Sequence, residues 1–324
     1  STKVKLLSNV VVSSLPLHSQ SGGIIPENAA REQLKFIIPV IKKALLEAGK
    51  NIKDIDAVAV THGPGLIGSL LIGVETAKTL SFVWNKPLIP ISHLLGHVYA
   101  NFIETELSPN IDFPAVALIV SGGHTDLIFM KQPGNIQWLG GTRDDAAGEA
   151  LDKIGRLLSI PYPGGPYIEK AAKNGNENKY KFPKPMIDSD NFDFSFSGLK
   201  TAVLREVKSM KQPALPADRF DNEIIADVCA SVQKAITDVL VKKTLKAAKE
   251  YNAESILLGG GVAANQTLRY KLELEARSQT PKAKIFAPSK NLCTDNAAMI
   301  GAAAFFNNRS VSWQKIDANP SLYF

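Results

Sequence analysis

The chain has 324 residues, 45% of them hydrophobic and 21% charged, a composition that suits one large α/β domain or two lobes of ordinary size. No apolar run approaches the roughly 18 residues needed to span a bilayer, and its two cysteines, Cys229 and Cys293, are too few for a disulfide framework and fit a reducing compartment. The net charge of +6 permits a polyanionic partner such as RNA without requiring one.

Short β-type runs alternate with helical periodicity along the chain. Lys5 to Ser14 reads as a strand centred on Val10–Ser13; with no initiator Met and no signal pattern, the chain reads as trimmed at its start. A helix over Glu27–Ala48, a strand at Ala57–Thr61, a helix over Ser69–Trp84, a strand at Leu88–Ile91 and a helix over His93–Ile103 follow. Strands at Ala115–Val120 and Asp126–Met130 flank Ser121-Gly122-Gly123-His124-Thr125 and read as an antiparallel hairpin. Beyond a helix over Ala147–Leu158, the stretch Asn174 to Asp190 is rich in Lys, Asn and Pro and reads as a surface excursion. Its Lys179, Lys181, Lys184, Tyr180 and Phe182, with Lys173 just before, are candidates for touching RNA; a solvated loop is the other reading. A helix over Glu223–Tyr251, a strand at Ser255–Leu258 and helices over Asn265–Ala276 and Asn296–Asn307 complete the pattern. Such alternation argues for an α/β protein with mostly buried, parallel strands.

Gly63-Pro64-Gly65-Leu66-Ile67-Gly68 matches the dinucleotide fingerprint between a strand and a helix. The fingerprint needs a carboxylate at the end of the next strand, and that strand ends Ile91-Ser92-His93. Pro64 also removes an N–H from a loop meant to donate them. The glycine turn is therefore read as packing a helix close to the sheet.

His93 and His97 stand four apart at the start of a predicted helix, so both rings project from one face and can serve one metal. Leu94 follows His93, so the protease pattern H-E-x-x-H lacks its general base. Asp295 is a candidate third ligand; the alternative is that Thr294 or Asp295 caps the helix that follows. Two histidines and one carboxylate leave coordination positions open, as catalytic iron and zinc sites do.

Two glycine turns suit phosphate. The turn at Ser121–Thr125 lets consecutive N–H groups point inward as an anion nest, and Gly259-Gly260-Gly261 runs from a buried strand into a helix N-terminus. Either can be only a tight turn. In Asp144 to Lys153, the acids Asp145, Glu149 and Asp152 read as one helical face, which is either solvated or able to hold ribose hydroxyls or an amine.

Together these pieces resemble the TsaD family, the tRNA N6-adenosine threonylcarbamoyltransferases. The matching stretches are Gly63-Pro64-Gly65, Ser92 to His97, Val120 to Thr125, Asp144 to Asp152, Tyr162-Pro163-Gly164-Gly165-Pro166, Phe194 to Thr201, Gly260 to Asn265 and Thr294-Asp295-Asn296. They lie in order across nearly the whole chain, and their wording is similar to the bacterial and organellar branch.

The resemblance implies an α/β, ASKHA (actin, sugar kinase, heat-shock chaperone) fold, ribonuclease H-like, with two lobes around a nucleotide cleft. Residues 1–112 would form the N-terminal lobe, 113–295 the C-terminal lobe, and a helix within 296–324 would return to the first. It implies transfer of threonylcarbamoyl from threonylcarbamoyl-AMP to N6 of adenosine 37 in tRNAs reading ANN codons, with release of AMP. His93, His97 and Asp295 would hold one divalent metal per subunit, Fe(II) in preference to Zn(II). Val120, Ser121, Gly122, Gly123, His124, Asp152, Gly165, Glu169 and Asn265 would line the adenylate site, and His124 is the candidate general base. Expected partners are tRNA, a smaller ASKHA paralogue, a P-loop ATPase and a separate synthase for the adenylate, with no membrane, in the cytoplasm or alternatively the mitochondrial matrix.

The chain departs from the family in two places. The family begins with a strand carrying E-T-S-C-D-D/E-T, which this sequence lacks, and Gln33 stands where His is common. The competing readings are a non-catalytic ASKHA scaffold, a metalloendopeptidase and a sugar or acetate kinase. Against them stand the retained His93, His97 and Asp295, the missing glutamate beside His93, and the missing phosphate motif at the N-terminus.

Overall fold

The structure, a computed structural model, describes residues 4–13, 25–103, 110–209 and 222–323. Its backbone contacts divide the chain into two units. Ser1–Ile111, Pro133–Asn135 and Pro288–Phe324 form the first, and Asp112–Gln132 with Ile136–Ala287 the second.

The first unit opens with α1 (Pro26–Glu47), which starts on a proline, a position where the missing N–H is one the helix would leave unpaired anyway. Then come β1 (Val58–Gly63), α2 (Ile67–Trp84), β2 (Leu88–Ser92) and α3 (His93–Tyr99). β1 and β2 pair in parallel, Val58 opposite Leu88 and Thr61 opposite Ile91, and α2 is the crossover between them. Val60, Val74, Ala77, Leu88 and Ile316 form the buried cluster beneath.

The predicted strand at Val10–Ser13 is irregular chain. Among the described residues, the N-terminal segment is bridged only at Val4, parallel to Ile103. Its sequence has β character, but a strand needs a ladder partner to satisfy its backbone groups.

The second unit contains β3 (Ala115–Val120), β4 (Thr125–Gln132), β5 (Asn135–Gly141), α4 (Ala147–Leu157), α5 (Gly164–Ala172), α6 (Ser197–Ser209), α7 (Asn222–Glu250), β6 (Ser255–Gly259), α8 (Gln266–Gln279) and β7 (Lys284–Phe286). The sheet order is β5–β4–β3–β6–β7. β3 pairs antiparallel with β4, as the hairpin reading expects, and parallel with β6, which pairs parallel with β7. Every residue of β3 is buried, which is why it reads Ala-Val-Ala-Leu-Ile-Val with no polar alternation. α7 supplies much of the core, with Val228, Val232, Ile236 and Val239 in one cluster with Val116 and Leu118 of β3.

The chain then returns to the first unit as α9 (Lys290–Cys293) and α10 (Ala297–Phe306). α10 packs on α3 so closely that a Cβ on Gly96 would lie 2.6 Å from Ile300 Cδ1. Phe306 of α10 also stacks on Tyr99, with ring centroids 5.3 Å apart. The last residues close over the end of β1: Asn319 N–H donates to His62 O at 2.7 Å, and Gly65 N–H to Pro320 O at 3.3 Å.

This corrects the reading of the Gly63-Pro64-Gly65 turn. A Cβ on Gly63 would sit 2.0 Å from Asn319 O, so that glycine admits the C-terminal segment rather than a helix. Gly68 is the residue that brings α2 against Ala30 of α1, at 3.3 Å. No helix among the described residues is long and apolar enough to cross a membrane.

Candidate functional site

The first unit brings three predicted ligands together. α3 begins directly at the end of β2, so His93 and His97 lie one helical turn apart at the edge of the sheet. Their rings stand edge to face with centroids 4.7 Å apart. Asp295 sits between α9 and α10, and its Oδ1 lies 3.3 Å from His93 Nε2 and 3.5 Å from His97 Nε2. The three potential ligand atoms fall within 4.8 Å of one another.

The helix-cap alternative is resolved locally. Asn296, not Thr294 or Asp295, caps α10, its Oδ1 accepting from Met299 N at 2.9 Å. Asn296 Nδ2 donates to Thr294 O at 2.8 Å, so the turn is held without using the Asp295 carboxylate.

The electrostatics favour a ligand set. His97 is 1% exposed, and burial pushes its imidazole pKa down despite the opposing pull of Asp295. Crowding by protein works against the Asp295 charge, but hydrogen bonds and charge from His93 and His97 hold its carboxyl far below the usual range. His97 Nδ1 has no hydrogen-bond partner among the described residues, and its Nε2 has only the Asp295 oxygen at 3.5 Å. A buried polar atom left unpaired is expensive, and a metal ion accepting an imidazole lone pair removes that penalty. Two neutral imidazoles and one carboxylate are a donor set that fits a divalent cation.

The second unit gathers the predicted nucleotide residues at the ends of β3 and β6. In the hairpin turn, Ser121 N–H donates to His124 O at 2.8 Å and Ser121 Oγ accepts from His124 N at 3.2 Å. A Cβ on Gly122 or Gly123 would meet nothing within 4 Å, so this turn faces open space. Two other glycines press against it. A Cβ on Gly148 of α4 would lie 2.4 Å from Ser121 O, and one on Gly260, at φ +93°, would lie 2.3 Å from Val120 O. Glycine is required at Gly260 on both counts.

Further along, Asp152 accepts from Gly164 N at 2.7 Å. Burial raises its carboxyl pKa, and the Gly164 and Gly165 amides pull it back only in part. Glu169 accepts from Gln266 N at 2.7 Å, and Asn265 Oδ1 caps α8 by accepting from Leu268 N at 2.9 Å. Gln233, which the sequence reading passes over, joins this group: its Oε1 accepts from Asn265 Nδ2 at 2.9 Å. In sequence it stands between Val232 and Lys234 with no signal that marks its partner.

The reading of Asp145, Glu149 and Asp152 as one acidic face is corrected. Asp145 lies before α4, and both it and Glu149 engage Lys153, at 2.5 and 2.9 Å, while Asp152 turns to Gly164. Their neighbour Asp144 gathers the Phe194–Gly198 motif instead, accepting from Ser195 Oγ, Phe196 N and both donors of Ser197.

The lysine-rich excursion is also sorted. Tyr180 and Phe182 pack against the core and Lys184 pairs with Asp238 at 2.5 Å, whereas Lys173, Lys179 and Lys181 are exposed.

The sequence matches the family described as "TsaD: tRNA N6-adenosine threonylcarbamoyltransferase" over residues 5–302. Relatives bearing that enzyme name include one from Moorella thermoacetica, 46% identical over 98% of this chain and 90% of its own length. Another, from Thermosipho africanus, is 48% identical over 93% of this chain and 87% of its own. Among solved structures, T. kodakarensis HypF superposes with a TM-score of 0.60 at 13% identity, covering 84% of this chain and 43% of that one, a likeness of fold alone. The chain therefore belongs to the TsaD family of tRNA N6-adenosine threonylcarbamoyltransferases, built on the α/β ASKHA fold.

Proposed function

We propose that the protein transfers the threonylcarbamoyl group of threonylcarbamoyl-AMP to N6 of adenosine 37 in tRNAs that read ANN codons. The observation that carries this beyond family membership is the convergence of His93, His97 and Asp295 from segments far apart in the chain. A bare scaffold would have no reason to assemble them, and a metalloprotease would need an acid where Leu94 stands.

In this reaction the N6–carbonyl bond forms and the carbonyl–phosphate oxygen bond breaks. AMP leaves with the electron pair, and an N6 proton passes to a base. His93, His97 and Asp295 would hold the metal, Fe(II) in preference to Zn(II). When bound there, it supplies Lewis-acid polarisation of a carbonyl or phosphoryl oxygen. The backbone from Val120 to His124 borders an open turn suited to phosphate charge; His124 is a candidate base, the alternative being that metal polarisation alone suffices. Asp152, Gly165, Glu169 and Asn265 would orient the adenylate, with Asp152 fixing the Gly164–Gly165 amides.

On this reading residues 1–112 with the returning C-terminal helix are the N-terminal ASKHA lobe, and the sheet of the second unit belongs to the C-terminal lobe. The bacterial relatives favour a cytoplasmic setting over the mitochondrial matrix. The expected partners are a smaller ASKHA paralogue, a P-loop ATPase and a separate adenylate synthase.

The test is transfer to unmodified ANN-decoding tRNA, with synthase and accessory proteins supplied, by wild type and His97→Ala, together with metal content. Transfer by wild type that collapses in the variant along with bound metal supports the reading. Equal modification by both would discard the metal assignment. No transfer by either would favour the scaffold.

A further inference from the structure

The segment from Gly175 to Asn191 runs alongside α7, in step with it. Gly175 rests on the helix so closely that a Cβ would lie 2.0 Å from Ala226 O. Asn176 N then donates to Asp227 at 2.6 Å, Tyr180 N to Ser231 Oγ at 3.2 Å, and Asn191 O accepts from Lys243 at 2.9 Å. Charge is sorted across this seam. On the side facing α7 the carboxylates are neutralised, Glu177 by Lys234 at 2.7 Å and Asp188 by Lys242 at 2.6 Å. Asp193 is engaged by Arg143.

The outward side is different. The side chains of Lys173, Lys179 and Lys181 are exposed and, among the described residues, enter no ion pair or hydrogen bond. Tyr180 and Phe182 alternate with them and turn inward against the core, so the lysines are held on an anchored backbone. Val203 and Val207 of α6 belong to the same buried cluster against which Tyr180 and Phe182 pack. Burial, with Asp227 and with Glu206 of that helix, pushes the Tyr180 hydroxyl pKa up. On α6 the side chains of Arg205 and Lys208 are likewise exposed and, among the described residues, unpaired. The remaining acids, Asp190, Glu206 and Asp227, are fewer than the five cations Lys173, Lys179, Lys181, Arg205 and Lys208 and leave this edge with a cationic excess. Salt bridges that consume the acids on one side and leave lysines free on the other are the electrostatic footprint of a polyanion site.

We propose that this edge of the second unit, centred on Lys173, Lys179 and Lys181, docks the sugar–phosphate backbone of the substrate RNA. It rests on the transferase reading in that the polyanion is tRNA. The contacts are to phosphate, so they position the RNA without reading its sequence.

The test uses the full chain with a fluorescently labelled, unmodified ANN-decoding tRNA, titrated at several salt concentrations, comparing wild type with the triple variant Lys173→Gln, Lys179→Gln, Lys181→Gln. Three lost phosphate contacts should lower the slope of log K against log salt by roughly 2 to 3 and weaken binding at low salt by about tenfold or more. The melting temperature and the KM for threonylcarbamoyl-AMP should stay at wild-type values, because these side chains hold nothing together. Lys184→Gln is the contrast: it breaks a partly buried ion pair, so it should lower the melting temperature and leave the salt slope alone. A triple variant with wild-type affinity and slope overturns the proposal, even though wild-type transfer activity would keep the transferase reading intact. Unchanged tRNA binding combined with slower turnover only when accessory proteins are present also overturns it, and assigns the edge to an acidic protein.

Discussion

Gln233 and Asn265 share one amide–amide hydrogen bond, 2.9 Å from Asn265 Nδ2 to Gln233 Oε1, and it sets which way both side chains face. Gln233 spends its own Nε2 on Thr267 Oγ1 at 2.9 Å, and Asn265 Oδ1 is occupied by Leu268 N. Asn265 is left with one N–H to offer, so it presents a donor, which suits a ribose or phosphoryl oxygen.

Replacing Gln233 with Leu removes the acceptor and leaves the Asn265 amide held only through Leu268 N. The KM for threonylcarbamoyl-AMP should rise about five- to tenfold, the worth of one hydrogen bond, with kcat changed less than about twofold at saturating tRNA. Combined with Asn265→Ala, its effect should be far less than additive. Steady-state kinetics of the two single variants and the double variant checks both statements.

Gly148→Ala puts a methyl where Ser121 O now lies at 2.4 Å. Either α4 or the Ser121–His124 turn must move. We expect a loss of about 1–3 kcal/mol of stability, as for other overpacked sites, and adenylate affinity reduced by at least about tenfold. Urea unfolding and calorimetric titration with the adenylate measure the two effects separately.

Lys243 is 1% exposed, donates to Ser189 Oγ at 2.8 Å and to Asn191 O at 2.9 Å, and has no carboxylate in direct contact. Burial, then the nearby charge of Lys246, lowers its pKa to about 8. An unfolded Lys keeps its proton to higher pH, so between pH 8 and the ordinary lysine value the unfolded state binds more protons and stability must rise with pH. Relative to Lys243→Met, which cannot titrate, the wild type should gain at most roughly 3 kcal/mol across that window. Denaturation midpoints at pH 7.5 and 10 for both proteins test it; parallel curves would refute it.

Asp144 binds the start of α6 through Phe196 N at 2.8 Å and Ser197 N at 3.2 Å, and ties in Ser195 Oγ at 2.6 Å. Asp144→Ala removes the partner of these donors and should destabilise the second unit by about 1–2 kcal/mol, in the range of lost helix caps. The wild-type advantage should shrink in acid. Burial opposes the Asp144 charge but the serine and backbone donors outweigh it, so the folded pKa lies below the ordinary value. Stability from such a group is present above the unfolded pKa and is lost as pH falls through the folded one.

Elements that carry their own signal were legible in the sequence. β3 was found to the residue because six consecutive buried apolar positions between turns leave few readings. α7 was found because its periodicity runs for eight turns. β7, three residues long, and β5, whose outer face is wet, carry too little pattern. α5 hid behind Gly164-Gly165-Pro166, which reads as a turn although Gly164 and Pro166 are in its first turn. At the site, His93 and His97 were legible as a spacing, and Asp295 only as a candidate weighed against a helix cap, since its convergence on them is tertiary. The acidic run at 144–152 misled because helical register was assumed for Asp145, which precedes the helix. Gln233 was out of reach because nothing in a sequence says which distant amide a buried glutamine meets.

The first unit is discontinuous, and this has a consequence for how the protein is made. His93 and His97 leave the ribosome before the second unit and Asp295 after it, since that unit is synthesised almost entirely between them. Domains fold largely as they emerge, so the β3–β7 sheet can be complete while the first unit still waits for α9, α10 and the strand-end contacts of Asn319 and Pro320. The three residues therefore come together only after the second unit has been made. Until then the chain presents His93 and His97 without the carboxylate of Asp295.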